Sequence, residues 1–248
     1  MTVAGPSPTH PAPVGRRRTV RELSLVLLGG FELIDHDAPV VLPLSAQRLI
    51  ALLAIHSRLM SRSRAAGTLW PDTTEQHALG NLRSVLWRLH RSPRQVLESP
   101  GGCLGLSAGV SVDLGEMESH AARIRDPGHR IEDAEVNKAC HWGDVLPDWS
   151  DDWLLIERER FRQLRLHTME VLSERLAAEG RFGQAVMAGL AAVAAEPLRE
   201  SAQRILIKAH LSEGNRSEAT RQYALYRNLL TSDLGLEPSR ELRALLGA

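Results

Sequence analysis

Cysteine is nearly absent from this sequence. Cys103 and Cys140 are its only two among 248 residues, too few for a disulfide framework, and reduced thiols are the expected state. Long apolar runs are absent too. No window approaches the run of about 20 residues that would span a bilayer, and no membrane partner is expected. The first segment, 1–21, has no apolar stretch of the kind a secretory signal needs. It is rich in Pro, Gly, Ser and Arg and ends on Arg16, Arg17, Arg18 and Arg21, which reads as a disordered basic tail.

Catalytic and metal-binding patterns are likewise missing. Gly101-Gly-Cys-Leu-Gly105 lacks the Lys-Ser/Thr of a phosphate loop. Cys140 and His141 are adjacent, but no third group orients them as a nucleophile and base. Two cysteines 37 positions apart do not make a zinc set. Asp151 and Asp152 read as helix-start acids rather than a catalytic dyad. No cofactor, metal or enzymatic activity is therefore expected. Net charge is also zero, but unevenly so: residues 1–112 carry +5 and residues 113–248 carry −5. A basic front half is the half suited to a polyanion.

What is present is a change of pattern along the chain. Leu23–Ile34 is dense in Leu, Val, Ile and Phe, a turn follows over Asp35–Pro39, and Val40–Leu44 is apolar again, so a small antiparallel sheet is expected. Three helices follow: one over 46–57 with Ser45 as its cap, one starting after Ser61, and one over about 75–91 capped by Thr73 or Thr74. Val96–Ser107 then reads as a β-hairpin around Ser99-Pro-Gly-Gly102, and Val110–Leu114 closes the unit. Sheet, three helices and hairpin form the order of a winged helix-turn-helix over 22–114.

From 115 to 248 the pattern is all helical. Ala178-Glu-Gly-Arg-Phe-Gly-Gln-Ala185 matches Ser212-Glu-Gly-Asn-Arg-Ser-Glu-Ala219 at an offset of 34 residues. That is the period of tetratricopeptide repeats, which are stacked helix pairs. Gly180 and Gly214 fit left-handed positions ending the first helix of each pair, with Ala185 and Ala219 at the crossings. The fold class is thus mainly α with a small β part. Trp142, Trp149 and Trp153, gathered near Asp148, Asp151 and Asp152, read as a joint between the two units.

The third helix carries the functional signal. Ala78, Leu79, Leu82, Val85, Leu86 and Leu89 share one face. The other side carries His77, Gly80, Asn81, Arg83, Ser84, Trp87, Arg88 and Arg91. In a winged fold the third helix lies in the major groove, where Asn pairs with adenine and Arg with guanine. Asn81, Ser84 and Arg88 are candidates for base edges. Arg62, Arg64, Arg83 and Arg91 are candidates for phosphates, and Ser and His side chains such as His77 can also hold phosphates. A merely solvated helix face is the competing reading. A second class of function, a helical-repeat interaction adaptor whose winged domain binds no DNA, would leave these arginines unexplained.

With those residues in view, the chain resembles the Streptomyces antibiotic regulatory protein (SARP) family. The resemblance rests on Leu27-Leu-Gly-Gly-Phe31, Gln47-Arg-Leu-Ile-Ala-Leu-Leu-Ala54, Leu69-Trp-Pro-Asp72 and Asn81-Leu-Arg-Ser-Val-Leu-Trp-Arg-Leu89. It continues through Gly143-Asp-Val-Leu-Pro-Asp-Trp-Ser-Asp-Asp-Trp153, Glu157-Arg-Glu-Arg160, Pro197-Leu-Arg-Glu-Ser201 and Leu234-Gly-Leu-Glu-Pro-Ser239. His90 and Cys103 depart from the family pattern, at places usually held by Arg and by an aromatic. The resemblance implies a winged DNA-binding domain of response-regulator type followed by a bacterial transcriptional activator domain. It implies double-stranded DNA, bound as direct repeats, and RNA polymerase as partners, with self-association on the DNA, often at secondary-metabolite gene clusters. The reduced thiols fit a cytoplasmic location, and because the sequence ends with its activator domain, the ATPase and sensor extensions of larger relatives are expected to be absent. The loop Trp70-Pro-Asp-Thr-Thr74, with Trp70, Asp72 and Thr73, is the candidate polymerase contact, since the same loop meets polymerase in relatives of this fold. The competing reading of that loop is a plain turn in which Asp72 caps the third helix.

Overall fold

The computed structural model describes residues 23–91 and 94–247. The basic tail expected over 1–21 lies outside the described residues. The chain opens with β1 (Leu23–Val26), β2 (Glu32–Asp35) and β3 (Ala38–Pro39). The β2–β3 turn is His36-Asp37, both with positive φ (47° and 65°), the backbone of a two-residue hairpin whose twist suits the flanking strands. The third strand falls earlier than the apolar run Val40–Leu44 suggested. Pro39 lacks an N–H, and an edge strand tolerates that; Pro43 then ends the extended stretch by standing before α1 (Leu44–His56). Ser45 therefore sits inside α1, and the helix has no side-chain cap. Seven consecutive residues of α1, Leu49 to Ile55, are buried, so this helix is the centre of the winged core.

β4 (Met60–Ser61) leads into α2 (Arg62–Leu69), and a loop leads to α3 (Glu75–His90). Ser61 caps α2 by accepting from Arg64 N–H at 3.3 Å, and Thr74 caps α3 by accepting from His77 N–H at 3.4 Å. The wing consists of β5 (Leu97–Glu98) and β6 (Cys103–Leu106), joined by a short 3-10 turn at Pro100–Gly102 and extended by β4 in the order β4-β6-β5. Gly101 and Gly102, with φ of 58° and 82°, take a backbone that residues with a Cβ resist. β7 (Val110–Val112) returns to the first sheet and pairs in parallel with β1, giving the order β3-β2-β1-β7.

Helices fill the rest: α4 (Asp113–Arg125), α5 (Asp133–Cys140), α6 (Asp152–Ala178), α7 (Phe182–Ala195), α8 (Glu200–Ser212), α9 (Arg216–Leu234) and α10 (Arg240–Ala244). The 34-residue repeat is physical. Gly180 and Gly214 adopt φ of 75° and 85° just after α6 and α8, and Ala185 and Ala219 are fully buried in the first turns of α7 and α9. A Cβ on Gly189 would stand 3.1 Å from the Leu206 Cα, so α7 and α8 touch at backbone distance.

The two parts share a single buried cluster, and the joint between them is dense in hydrogen bonds. Asp113 Oδ2 accepts from the Leu27 and Leu28 N–H groups at 2.9 and 2.8 Å, while burial holds its pKa above the ordinary value. Gly29 N–H donates to Asp144 O and Leu146 N–H to Leu27 O, at 2.8 and 2.9 Å. Arg158 of α6 donates to the carbonyls of Val145, Leu146 and Trp149 at 3.0, 2.6 and 2.9 Å. Trp149 stacks on Phe31 with centroids 6.0 Å apart. Arg48 of α1 forms an ion pair with Asp151 before α6. Trp142 is buried, edge-on to His120. The tryptophan segment is thus a joint between the parts.

Between α4 and α5, Glu135 accepts from Arg123 at 3.0 Å and lies 2.8 Å from His129 Nε2. Burial opposes its charge, but these hydrogen bonds outweigh it and bring its pKa down from 4.5 to about 2. A depressed carboxylate contributes stability that is present above its unfolded pKa and lost as pH falls through the folded one. Glu135→Gln should therefore lose on the order of 2 kcal/mol at pH 7 and little near pH 2. Urea unfolding at both pH values measures this; equal losses at both would assign the effect to shape instead.

Candidate DNA interface

α3 is held from beneath and bare on top. Ala78, Leu82, Val85, Leu86 and Leu89 are buried, and Leu79 is half-buried. His77, Asn81, Arg83, Ser84, Trp87, Arg88 and Arg91 are exposed. Arg64, Arg83 and Arg88 have no carboxylate partner among the described residues. Most arginines of the helical part behave differently. There Arg160, Arg162, Arg165, Arg181, Arg199 and Arg227 all pair with acids, and Arg158 and Arg175 are spent on backbone carbonyls. Arginines that face water without an anion are the cheapest to transfer to phosphate or guanine, because no internal pair has to break first.

The details divide the candidates. Arg62 donates to Ser99 Oγ at 3.1 Å, and Ser99 donates to Cys103 O, so Arg62 stitches α2 to the wing. Ser84 donates to Gly80 O at 3.1 Å, which leaves its hydroxyl as an acceptor only. His77 Nδ1 lies 3.0 Å from Thr74 Oγ1 at the start of the helix. The Arg91 guanidinium sits 4.6 Å from the centre of the Trp87 ring, and that ring is 61% exposed. Trp87 therefore stacks with Arg91 in the open, one turn along, a spacing readable from the sequence once the helix is known. Gly80 has no side chain within 3.4 Å of its would-be Cβ, so the helix can be approached closely there.

The loop before α3 is a tight turn. Thr73 donates through both its N–H and its Oγ1 to Trp70 O, at 3.3 and 3.1 Å. Pro71, Asp72 and Thr73 are exposed, and Trp70 is half-buried. Because Thr74 caps α3, Asp72 is free of that duty. Elsewhere, burial pushes the Cys140 thiol up, and His141 is hydrogen-bonded to Asn137 O. Among the described residues, no three or more His, Cys, Asp or Glu side chains converge on a possible metal position, and no helix is long and apolar enough to cross a membrane.

The family model described as "Bacterial transcriptional activator domain" matches residues 112–248. The chain belongs to that family. Its likeness to the regulatory protein AfsR of Streptomyces coelicolor, 30% identical over 211 residues, covers 79% of this chain and 21% of AfsR. AfsR of Streptomyces griseus is 27% identical over 224 residues, which is 87% of this chain and 23% of that protein. The chain spans about a fifth of the length of these curated relatives. A solved structure of Mycobacterium tuberculosis EmbR, in complex with a low-affinity phosphopeptide, matches with a TM-score of 0.67 at 23% identity. The match covers 92% of this chain and 64% of EmbR, and it shows the shared fold. The chain is a member of the SARP family and carries its bacterial transcriptional activator domain, as its motifs implied.

Proposed function

We propose that this activator binds direct repeats of double-stranded DNA beside a promoter, as tandem protomers, and recruits RNA polymerase to a secondary-metabolite biosynthesis cluster. Residues 22–114 read the DNA and residues 115–248 form the activator unit. The observation that carries this is the α3 face, where Arg83, Arg88 and Arg91 stand together without an internal anion among the described residues, while most arginines of the helical part are paired with acids. On this reading Asn81, Ser84 and Arg88 meet base edges, with Ser84 accepting from an exocyclic amine. Arg62, Arg64, His77, Arg83 and Arg91 hold phosphates. The regulated cluster is the reading implied by the resemblance to the Streptomyces antibiotic regulatory protein family.

Two variants test the placement of α3. Arg88→Ala should weaken specific binding by roughly 1–3 kcal/mol and relax the preference at one base position. Arg64→Ala should weaken all sequences alike and reduce the salt slope by about 1. Binding-site selection on random DNA checks both, and an unchanged sequence preference in Arg88→Ala would take α3 out of the groove.

The polymerase contact is assigned to Trp70, Asp72 and Thr73. Changing Asp72 and Thr73 together to Ala should leave operator affinity within about threefold, which is under 1 kcal/mol. Transcription from the target promoter with purified polymerase should fall several-fold. A parallel loss of both activities would make the loop a support of the fold only.

A further inference from the structure

The loop assigned to polymerase does not stand alone. It forms one wall of an open cleft of about 580 Å³ whose other wall is the segment Asp148–Trp153. Each half of the molecule thus contributes a wall. The indole side chains of Trp70, Trp149 and Trp153, each half-buried, line it, and Leu44 is 62% exposed at its edge. The charge is one-sided. Arg48 is the one cation among the lining residues, and Asp151 already neutralises it. Asp72, Asp148 and Asp152 are exposed and have no ion pair among the described residues. None of the eight DNA candidates lines the cleft.

Unpaired carboxylates in a cleft lined by half-buried indoles suit one side chain above others. A guanidinium can stack flat on an indole while donating two parallel hydrogen bonds to a carboxylate. An ammonium manages only the point-charge part of this. The geometry points to the cleft as a composite docking site for an arginine-bearing, apolar segment of a protein partner, gripped by both halves of the activator at once. The proposal rests on the reading of the Trp70–Thr74 loop as the polymerase contact, and it adds the chemistry of the segment that enters.

The test uses the full chain and a short synthetic peptide alternating leucine with arginine, read by calorimetry. Versions with lysine or glutamate in place of arginine serve as comparisons. The arginine peptide should bind, the lysine peptide several-fold more weakly, and the glutamate peptide not at all. Asp148→Asn with Asp152→Asn should weaken the arginine peptide at least about tenfold, or 1.4 kcal/mol. The same double variant should lower activated transcription several-fold while operator affinity holds. Undiminished peptide binding by the double variant, or equal binding of the glutamate peptide, would overturn the proposal. Removal of residues 1–22 that tightened the peptide tenfold would give the cleft to the chain's own Arg16, Arg17, Arg18 and Arg21, and would overturn the assignment to a partner. The loop reading fails separately. If Asp72 and Thr73 control transcription and Asp148 and Asp152 do not, the loop stands and the cleft falls. If the carboxylates govern peptide binding while neither pair alters transcription, the docking site stands and polymerase is not its partner.

Discussion

Arg158→Met should be among the most destabilising single changes in this protein, costing about 3–4 kcal/mol. The side chain supplies donors to three carbonyls of one segment, Val145, Leu146 and Trp149. Val145 and Leu146 are buried, so water cannot fully replace the lost donors. Hydrogen bonds from a charged group contribute about 1.5–3 kcal/mol each, and they are not additive when they share a donor. The same segment also forms backbone bonds with Leu27 and Gly29. Loosening it therefore acts on the joint as well as on α6. Unfolding should then separate into two steps, because a single transition requires that the halves report on each other. Arg175→Met is the comparison. Its guanidinium bonds to the carbonyls of Ile124, Asp126 and His129, all within the helical part, so it should lower stability without separating the halves. Calorimetry of both variants, with tryptophan emission as a second probe, decides the matter. A loss under 1 kcal/mol for Arg158→Met would mean that the joint is held by packing alone.

Inserting five base pairs between the two direct repeats should abolish cooperative binding and activation. Half a helical turn puts the second protomer on the opposite face of the DNA, whereas a full turn of about 10–11 base pairs returns it to the same face. Each site should still bind one protomer with its own affinity, since α3 and the wing are untouched. Footprint titration of the natural, half-turn and full-turn spacings measures this. Cooperativity that survives the half-turn insertion would sink the tandem arrangement.

Local signals were legible in the sequence because they act over short distances. The α3 face followed from its apolar spacing, and the caps Ser61 and Thr74 from the hydroxyl before each helix. Gly180 and Gly214 announced two helix ends. The misreadings have local causes as well. Val40–Leu44 is apolar enough for a strand, but Val40 donates to Leu33 O beyond the end of β3, and the chain then turns at Pro43 into α1. Long-range partners carried no such signal. Arg48 and Asp151 are 103 positions apart, and Asp113 finds the Leu27 and Leu28 amides across 86 and 85 positions. Periodicity reports which face is buried, not which carboxylate lies opposite. The cleft was half visible for that reason: its loop and its tryptophan–aspartate segment each stood out in the sequence, but not that they face each other.

Val112 ends β7, and Asp113 begins α4 with no residue between them. A strand of the first sheet thus runs directly into the first helix of the helical part, and no linker separates them. On the proposed direct repeats this would give the bound array a polarity. Every protomer would point its helical part the same way along the duplex, so neighbours would meet front to back, through two different surfaces. Such a contact does not close on itself as a two-fold dimer does. Such a row would end where the repeats end, with one unused front surface and one unused back surface. Only the protomer at the promoter-proximal end would present its outward surface to whatever stands at the start site.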